Sequence, residues 1–172
     1  MKKQYKLGVI GGGFMAQAII KGIDFIKPKK IIVSDPSEAA QRNLEDLGVN
    51  VTANNRDVAD NCEYLLLAVK PQTFPAVAES LRGVPVEKVI SIMAGMKKQK
   101  IKDAHFGKNV KVARVMPNLP CSINFGMAAL DLSDFEDDVD DCAFVQEIFN
   151  SVGNTLIVPE EKLNAVTGIS GS

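Results

Sequence analysis

The sequence predicts a doubly wound α/β fold, in which helices cover both faces of a mostly parallel β-sheet. Short, uniformly apolar runs alternate with stretches of helical periodicity along most of the 172 residues. Such strands are typical of parallel sheets that are buried on both faces. A turn of three glycines, residues 11–13, joins the first apolar run to the first helical stretch. Such sheets bind ligands beyond the carboxyl ends of their strands, so we expect functional residues directly after the strands.

The predicted elements follow one another in a regular order. We expect strands at 7–10, 31–35, 49–51, 64–69, 88–95, 110–116, 127–132 and 154–158. We expect helices at 14–25, 37–48, 55–62, 72–83, 98–107 and 135–153. Gly48 closes the second helix, and Pro75 falls in the first turn of the fourth. Ser133 is the expected N-cap of the last helix, with Glu136 three residues later.

Composition excludes several classes of function. The net charge of −1 and the isoelectric point of about 5.9 argue against binding to nucleic acid by charge. Glycines follow the basic start where a signal peptide would need an apolar stretch, and the apolar run 64–69 is too short to span a membrane. We therefore expect a cytoplasmic protein. Its three cysteines have neither zinc-ligand nor redox spacing, which indicates reduced thiols.

The acidic run 131–141 does not fit a metal site. Phe135 occupies the fifth position of a possible calcium loop, and the sixth position is not glycine. Acidic residues in the first turns of a helix explain the run better, because they complement the positive end of the helix dipole. We therefore expect no metal.

The glycine turn fits a dinucleotide-binding loop of the Rossmann type. Gly11, Gly13 and Ala16 fill the pattern G-x-G-x-x-A between the first strand and the first helix. The first glycine permits a tight turn, the second lets the backbone approach a pyrophosphate, and the alanine keeps the helix close to the strand. The free N–H groups at the helix N-terminus would then bind the phosphates.

Asp35 has two interpretations of similar weight. It lies 24 residues after Gly11, where an acid binds both hydroxyls of the adenosine ribose and favours NAD. It also reads as a helix N-cap, followed by Pro36 and, three residues after the cap, Glu38. Three other side chains could instead serve the 2′-phosphate of NADP: Ser34, Ser37 and Arg56. The choice between NADH and NADPH stays open.

The loops after the fourth, fifth and sixth strands are expected to surround a nicotinamide. They contain Lys70, the turn 93–96 and Asn118. Lys70 could equally be a solvated lysine, and Asn118 a turn former between two prolines. The only histidine, His105, falls at the end of a helix and so on the other edge. Without an acid–base pair, either Lys70 transfers the proton or the substrate needs little help, as a C=N bond would.

These segments together resemble the pyrroline-5-carboxylate reductase family. The resemblance follows the whole chain in order and spacing, through "GVIGGGFMAQAI", "LLLAVKPQ", "VISIMAG", "RVMPNLP", "GMAAL" and "NAVTGISGS". It implies a Rossmann domain at 1–158, with 159–172 beginning a connection into an all-helical C-terminal domain that this chain lacks. It also implies an oxidoreductase acting on a CH–NH bond, which reduces 1-pyrroline-5-carboxylate with NADPH or NADH to L-proline, the last step of proline biosynthesis. The helical domain would form a homodimer or higher homo-oligomer.

The resemblance assigns roles to individual residues. The implied cofactor-binding residues are Gly11, Gly12, Gly13, Phe14, Met15, Ser34, Asp35, Asn55, Ala68, Val69, Lys70, Pro71, Ala94, Gly95 and Asn118. The implied substrate-binding residues are Met116, Pro117, Ser170, Gly171 and Ser172, and Lys70 is the candidate catalytic residue. Leu119 and Cys121 depart from the threonine and alanine frequent in the family, and no arginine follows Asp35.

Three functions therefore remain open. The first is the cofactor-binding half of a pyrroline-5-carboxylate reductase, which would bind NAD(P)H but reduce the substrate poorly or not at all. The second is a related Rossmann dehydrogenase that acts on hydroxy acids; the lack of an acid–base residue counts against it. The third is a non-catalytic NAD(P)-binding module that senses redox state.

Overall fold

The computed structural model describes residues 2–106 and 109–170, and its centre is one eight-stranded sheet. The strands are β1 Tyr5–Ile10, β2 Ile31–Ser34, β3 Asn50–Thr52, β4 Cys62–Leu67, β5 Lys88–Ser91, β6 Lys111–Met116, β7 Gly126–Asp131 and β8 Gly153–Ile157. Their order across the sheet is β3-β2-β1-β4-β5-β6-β7-β8. The first six strands thus have the 3-2-1-4-5-6 order of doubly wound dinucleotide-binding folds.

The helices are α1 Phe14–Gly22, α2 Glu38–Asp46, α3 Asn55–Asn61, α4 Phe74–Ser80, α5 Lys98–Ile101, α6 Val139–Asn150 and α7 Glu160–Ser170. Short 3₁₀ turns connect several of them, and a π-helical segment, Lys102–Phe106, continues α5. None of these helices is both long and apolar enough to cross a membrane, as far as the described residues go.

The last two strands run against the rest of the sheet. Neighbouring strands from β3 to β6 are parallel, but β7 is antiparallel to β6, and β8 is parallel to β7. The carboxyl ends of β1–β6 therefore share one edge, which we call the carboxyl edge; the other is the amino edge. The expectation that every segment after a strand lies at the functional edge is wrong for β7 and β8, because an apolar run does not reveal the direction of its strand.

Two apolar cores cover the two faces of the sheet. In β4 alone, Tyr64 and Leu66 face one core, whereas Leu65 and Leu67 face the other. All four side chains are buried, as the period of two along a strand requires when both faces are covered. Each fully buried leucine contributes about 1.5–3 kcal/mol to stability relative to an exposed one. The predicted doubly wound fold is thus confirmed.

The start of α6 differs from the prediction. Ser133–Phe135 forms a 3₁₀ turn, and α6 begins only at Val139, where the carboxylate of Asp138 accepts a hydrogen bond of 3.0 Å from the Asp141 N–H. Ser133 is therefore not the cap of this helix. Phe135 is fully buried, so the 3₁₀ turn brings its ring into the core before the helix starts.

Candidate functional site

A cleft of about 400 Å³ opens at the carboxyl edge, where β1, β2 and β4 end. Eight of the residues predicted to bind a cofactor line it: Gly11, Gly13, Ser34, Asp35, Asn55, Ala68, Val69 and Lys70. The sequence did not single out other lining residues, among them Ala53, Thr73 and Val77. Asp35 and Lys70 supply the only charged side chains among the described residues that line the cleft.

Gly11 makes the tight turn on which the cleft depends. Its φ of 96° lies in the left-handed region, and an added Cβ would lie 2.7 Å from the carbonyl oxygen of Ala68. The Gly11 N–H donates to the Ser34 carbonyl at 2.9 Å, and the Ala68 N–H donates to the Ile10 carbonyl at 2.9 Å. These contacts bring the ends of three strands together around one glycine.

Gly13 is different, because the surrounding protein leaves room for a side chain there. An ideal Cβ on Gly13 would have no heavy atom within 4 Å. Gly13 is also the N-cap residue of α1, and no described side chain caps this helix. The first N–H groups of α1 thus have no side-chain acceptor and remain available to an anion. The residues present fit a pyrophosphate, which would occupy the space that a side chain would fill.

Ser34 and Asn55, predicted at the adenosine end, are in direct contact. The Ser34 hydroxyl donates to Asn55 Oδ1 at 2.7 Å, and Asn55 Nδ2 donates to the Ser80 hydroxyl at 3.1 Å. Arg56, considered for a 2′-phosphate, does not line the cleft. Its guanidinium donates to the carbonyls of Ser80 and Arg82, at 3.4 and 2.9 Å.

The helix-cap interpretation of Asp35 is wrong. Helix α2 begins at Glu38, and its N-cap is Ser37, whose hydroxyl accepts from the Ala40 N–H at 3.4 Å. Asp35 instead accepts from two backbone groups: its Oδ2 from the Gly12 N–H and its Oδ1 from the Ser37 N–H, both at 2.8 Å. The competition between two possible caps two residues apart could not be decided from the sequence.

Two glutamines that were not predicted as site residues form hydrogen bonds to the backbone around Gly12 and Asp35. Gln17 Nε2 donates to the Gly12 carbonyl at 2.7 Å, and Gln41 Nε2 donates to the Asp35 carbonyl at 2.6 Å. Neither glutamine belongs to a local motif, so the sequence offered no signal for these contacts.

The loops after β4 and β5 lie at the same edge. Lys70 is exposed and precedes the 3₁₀ turn Pro71–Thr73. Gly95 has a φ of 69°, and it follows Ala94 in an exposed turn. Pro71, Ala94 and Gly95 do not line the cleft of about 400 Å³. The predicted contact of these three residues with the nicotinamide half stays a prediction.

The loop after β6 is tied to the start of β7. Asn118 Oδ1 accepts from the Met127 N–H at 2.9 Å, which fits the turn-forming role considered for this residue. Cys121 is buried below it, and burial raises the pKa of its thiol, which makes a reactive thiolate unfavourable. Leu119 and Phe125 are 70% and 81% exposed, so this loop presents apolar side chains to solvent. Met116 and Pro117 are partly buried beside it.

Several predicted residues lie at the limits of the description. Gly171 and Ser172 lie outside the described residues, and so does the side chain of Ser170 at the end of α7. The side chain of His105, in the π-helical segment, also lies outside the description. The substrate-binding role of 170–172 and the absence of a catalytic role for His105 stay predictions.

Comparison with known proteins identifies the relatives of this chain. The model of the family described as NADP oxidoreductase coenzyme F420-dependent matches residues 6–95, which is more than half of the chain. A pyrroline-5-carboxylate reductase of Synechocystis sp. is 40% identical over 172 residues, which cover 97% of this chain and 63% of the relative. A second, from Methanosarcina acetivorans, is 36% identical, with the same shares covered.

Solved structures agree with the sequence comparison. A pyrroline-5-carboxylate reductase of Coxiella burnetii superposes with a TM-score of 0.89 at 30% identity and covers 97% of this chain. The Plasmodium falciparum pyrroline carboxylate reductase, solved with NADP bound, has a TM-score of 0.84 at 28% identity and covers 99%. The chain spans 64% of each of these two chains and about 63% of the length of the curated relatives.

The motifs, the fold and these relatives all indicate the same family. The family description is that of NADP oxidoreductases, and the Plasmodium falciparum relative was solved with NADP bound. The chain belongs to the family described as NADP oxidoreductase coenzyme F420-dependent, and its resemblance to the pyrroline-5-carboxylate reductases is confirmed over nearly its whole length.

Proposed function

We propose that this chain is the NAD(P)H-binding part of a pyrroline-5-carboxylate reductase, which reduces 1-pyrroline-5-carboxylate to L-proline. The observation that supports it most is the glycine cradle at the carboxyl edge. Gly13 leaves a space that the protein does not fill, beside helix N–H groups that no described side chain caps. The chain that holds this cradle is 40% identical to a pyrroline-5-carboxylate reductase.

The cofactor would lie along the carboxyl edge. Gly11–Met15 would hold the pyrophosphate, and Ser34 and Asn55 the adenosine ribose, while Asp35 lines the same cleft. The nicotinamide half would contact the loops after β4, β5 and β6, through Ala68, Val69, Lys70, Pro71, Ala94, Gly95 and Asn118. When bound, the reduced nicotinamide supplies the hydride for the C=N carbon. The chain's own residues orient the two reactants and exclude water from between them.

The substrate would lie between the nicotinamide and the loop after β6. Met116 and Pro117 would form one wall, and Ser170, Gly171 and Ser172 would bind the carboxylate. Protonation of its nitrogen makes the C=N bond electrophilic, so the transfer of one proton is the acid catalysis that the reaction requires. Lys70 is the only cationic side chain among the described residues of the cleft, and we assign to it the proton for the substrate nitrogen. The enzyme would act in the cytoplasm as a homodimer or higher homo-oligomer.

Titration of the purified chain with NADH and with NADPH tests the cofactor site. The chain contains no tryptophan, so the fluorescence of the reduced nicotinamide can be followed without that background. Gly13→Ala is a matched variant, because the protein leaves room for the added methyl group. We expect Gly13→Ala to melt like the unsubstituted chain but to bind both cofactors at least about tenfold more weakly, since the methyl group occupies the pyrophosphate space. Equal affinity of the variant would contradict the proposed site.

Substrate identity is tested separately. A longer protein, in which this chain is followed by the helical domain, is assayed for NAD(P)H oxidation with 1-pyrroline-5-carboxylate, and for NAD(P)⁺ reduction with a panel of 2- and 3-hydroxy acids. Turnover of a hydroxy acid in place of the pyrroline would overturn the proposed substrate while leaving the cofactor site intact.

In the same longer protein, Lys70→Met separates a role of Lys70 in proton transfer from a role in balancing the phosphate charge. If Lys70 transfers a proton, turnover falls while cofactor affinity changes little, and the loss is about 10²-fold or more. If Lys70 instead balances the phosphate charge, cofactor affinity falls and turnover at saturating cofactor is kept. Because 1-pyrroline-5-carboxylate protonates in mild acid, a loss of turnover that shrinks at low pH would further support the first role.

A further inference from the structure

The backbone N–H and carbonyl groups of Gly12 both form hydrogen bonds with side chains. Its N–H donates to Asp35 Oδ2 at 2.8 Å, and its carbonyl accepts from Gln17 Nε2 at 2.7 Å. Gly12 is also buried, and an added Cβ would lie 2.6 Å from Leu44 Cδ1 and 3.2 Å from Asp35 Cβ. We call the pair Asp35 and Gln17 the Gly12 clamp. It fixes the middle of the glycine loop between α1 and the segment that joins β2 to α2.

Asp35 is itself fixed in this orientation. Its second carboxylate oxygen, Oδ1, accepts from the Ser37 N–H at 2.8 Å, and its carbonyl accepts from Gln41 Nε2 at 2.6 Å. An acid that selects NAD directs its carboxylate to the ribose hydroxyls. Here each carboxylate oxygen is instead bonded to a backbone N–H group of the chain itself.

Neighbouring backbone groups partly offset the negative charge of Asp35. Hydrogen bonds from backbone N–H groups stabilise a carboxylate, and the N-terminus of α2 begins three residues later. The side chain therefore has less unbalanced charge with which to repel a 2′-phosphate than a free carboxylate at the same position would have.

We propose that Asp35 and Gln17 are positioning residues of the glycine loop, and that Asp35 does not select between NADH and NADPH. This rests on the proposed function, because it requires that the glycine loop binds the pyrophosphate. The clamp orders the loop before the cofactor arrives, so binding does not have to order it. Both cofactors carry the same pyrophosphate, and both benefit equally. The inference differs from the ribose contact that the sequence predicts for Asp35.

The test is the ratio of the two dissociation constants. NADH and NADPH are titrated into the unsubstituted chain and into Asp35→Ala, Asp35→Asn and Gln17→Leu. We expect Asp35→Ala to weaken both cofactors by about tenfold, which corresponds to one hydrogen bond to a charged group, and Gln17→Leu by about threefold. Asp35→Asn, which keeps one acceptor, is expected to lie between Asp35→Ala and the unsubstituted chain. The NADH to NADPH ratio stays within about twofold of the unsubstituted value throughout.

Glu38→Gln is the control for charge alone. Glu38 lies in the first turn of α2, and its carboxylate pairs with Arg42 at 3.4 Å without contacting the glycine loop. The substitution Glu38→Gln removes one negative charge near the cleft, as Asp35→Asn does, but it leaves the Gly12 clamp intact. We expect its effect on either affinity to be less than about twofold, because exposed charges are screened.

A second readout reports on the loop directly. In the ¹H–¹⁵N spectrum, we expect the Gly12 amide to be protected from hydrogen exchange in the unsubstituted chain and in Glu38→Gln, and to lose protection in Asp35→Ala. Unchanged protection of the Leu66 amide in β4 would show that the sheet is intact. If Asp35→Ala weakens NADH but leaves NADPH unchanged or tighter, Asp35 is a selectivity residue and the inference is overturned, whereas the proposed function stands. If the unsubstituted chain binds neither cofactor, the proposed function is overturned, and the inference with it.

Discussion

The two edges of the sheet differ in whether their polar groups are paired within the protein. At the carboxyl edge, a cleft of about 400 Å³ contains two charged side chains, and α1 begins there without a side-chain cap. At the amino edge, a larger hollow of about 730 Å³ is lined by four lysines and five acids. Four of these nine charged side chains form two ion pairs: Lys6 with Glu63 at 2.9 Å, and Lys88 with Asp141 at 2.8 Å. The uncapped N–H groups of α1 therefore indicate a binding site at the carboxyl edge, although the cavity at the amino edge is larger.

The amino-edge cluster consists of Tyr64, Lys88, Asp141 and Phe144. The Tyr64 hydroxyl and the Lys88 ammonium both donate to Asp141 Oδ1, and the Tyr64 ring stacks on Phe144 with centroids 4.0 Å apart. Burial favours a higher pKa for the Asp141 carboxyl, but the bonds from Lys88 and Tyr64 outweigh it and lower that pKa. Burial, together with the bond to Asp141, raises the pKa of the Tyr64 hydroxyl. This cluster joins β4, β5 and α6, so we expect it to stabilise the fold.

The largest expected effect at the amino edge follows from Asp141→Ala. The side chain of Asp141 is 4% exposed, and its loss leaves Tyr64 and Lys88 without their acceptor. We expect the free energy of unfolding to fall by about 3 kcal/mol, with unchanged cofactor affinity, as measured by urea denaturation and titration. Glu63→Gln, at the more exposed pair with Lys6, is the control and should cost less than about 1 kcal/mol. A loss of cofactor affinity in Asp141→Ala would contradict the prediction that the amino-edge cluster affects stability alone.

Gly11→Ala is expected to affect fold and site together. The methyl group would approach the Ala68 carbonyl at 2.7 Å, in a backbone conformation that costs an alanine about 1–2 kcal/mol. We therefore expect a stability loss of about 2 kcal/mol or more, together with loss of cofactor binding, by thermal unfolding and titration. Gly13→Ala, with room for its methyl group, should lose binding alone. Equal stability losses in the two variants would show that the protein, and not the ligand, requires both glycines.

Acid should weaken the amino edge through Asp141. Because its pKa is lowered in the folded chain, the folded carboxylate takes up a proton only at a lower pH than the unfolded one. Its contribution to stability is therefore present above the unfolded pKa of about 4 and is lost as the pH falls toward the folded value. Urea denaturation at several pH values should show a smaller loss of stability below pH 4 in Asp141→Asn than in the unsubstituted chain. Parallel curves would contradict this assignment.

Tyr64→Phe gives the smallest expected effect. It removes the hydroxyl but keeps the stacked ring, and Asp141 retains its bond to Lys88. We expect the free energy of unfolding to fall by about 1.5 kcal/mol, the low end of the range for one hydrogen bond to a charged group. A loss as large as that of Asp141→Ala would show that the hydroxyl, more than the lysine, satisfies the carboxylate.

The sequence predicted the carboxyl edge far better than the amino edge. The glycine turn and the apolar runs are local patterns, so the meeting of Gly11, Ser34 and Lys70 at one cleft followed from strand order alone. The contact between Tyr64 and Asp141 joins residues 77 apart, and neither belongs to a local pattern. The direction of β7 and the partners of Gln17 and Gln41 also depend on tertiary packing. The helix start at Asp138 was missed, because several capping residues compete within a few positions.

The strand order has a consequence for the way this chain is made. Among the described residues, those that line the carboxyl-edge cleft fall between Ile10 and Val77, and β5 begins only at Lys88. The ribosome therefore completes every group of the cleft before it reaches the fifth strand. The remaining four strands, β5 to β8, then extend the sheet outward from one side of β4. The order of synthesis thus completes the residues of the cleft before those of the later half of the sheet.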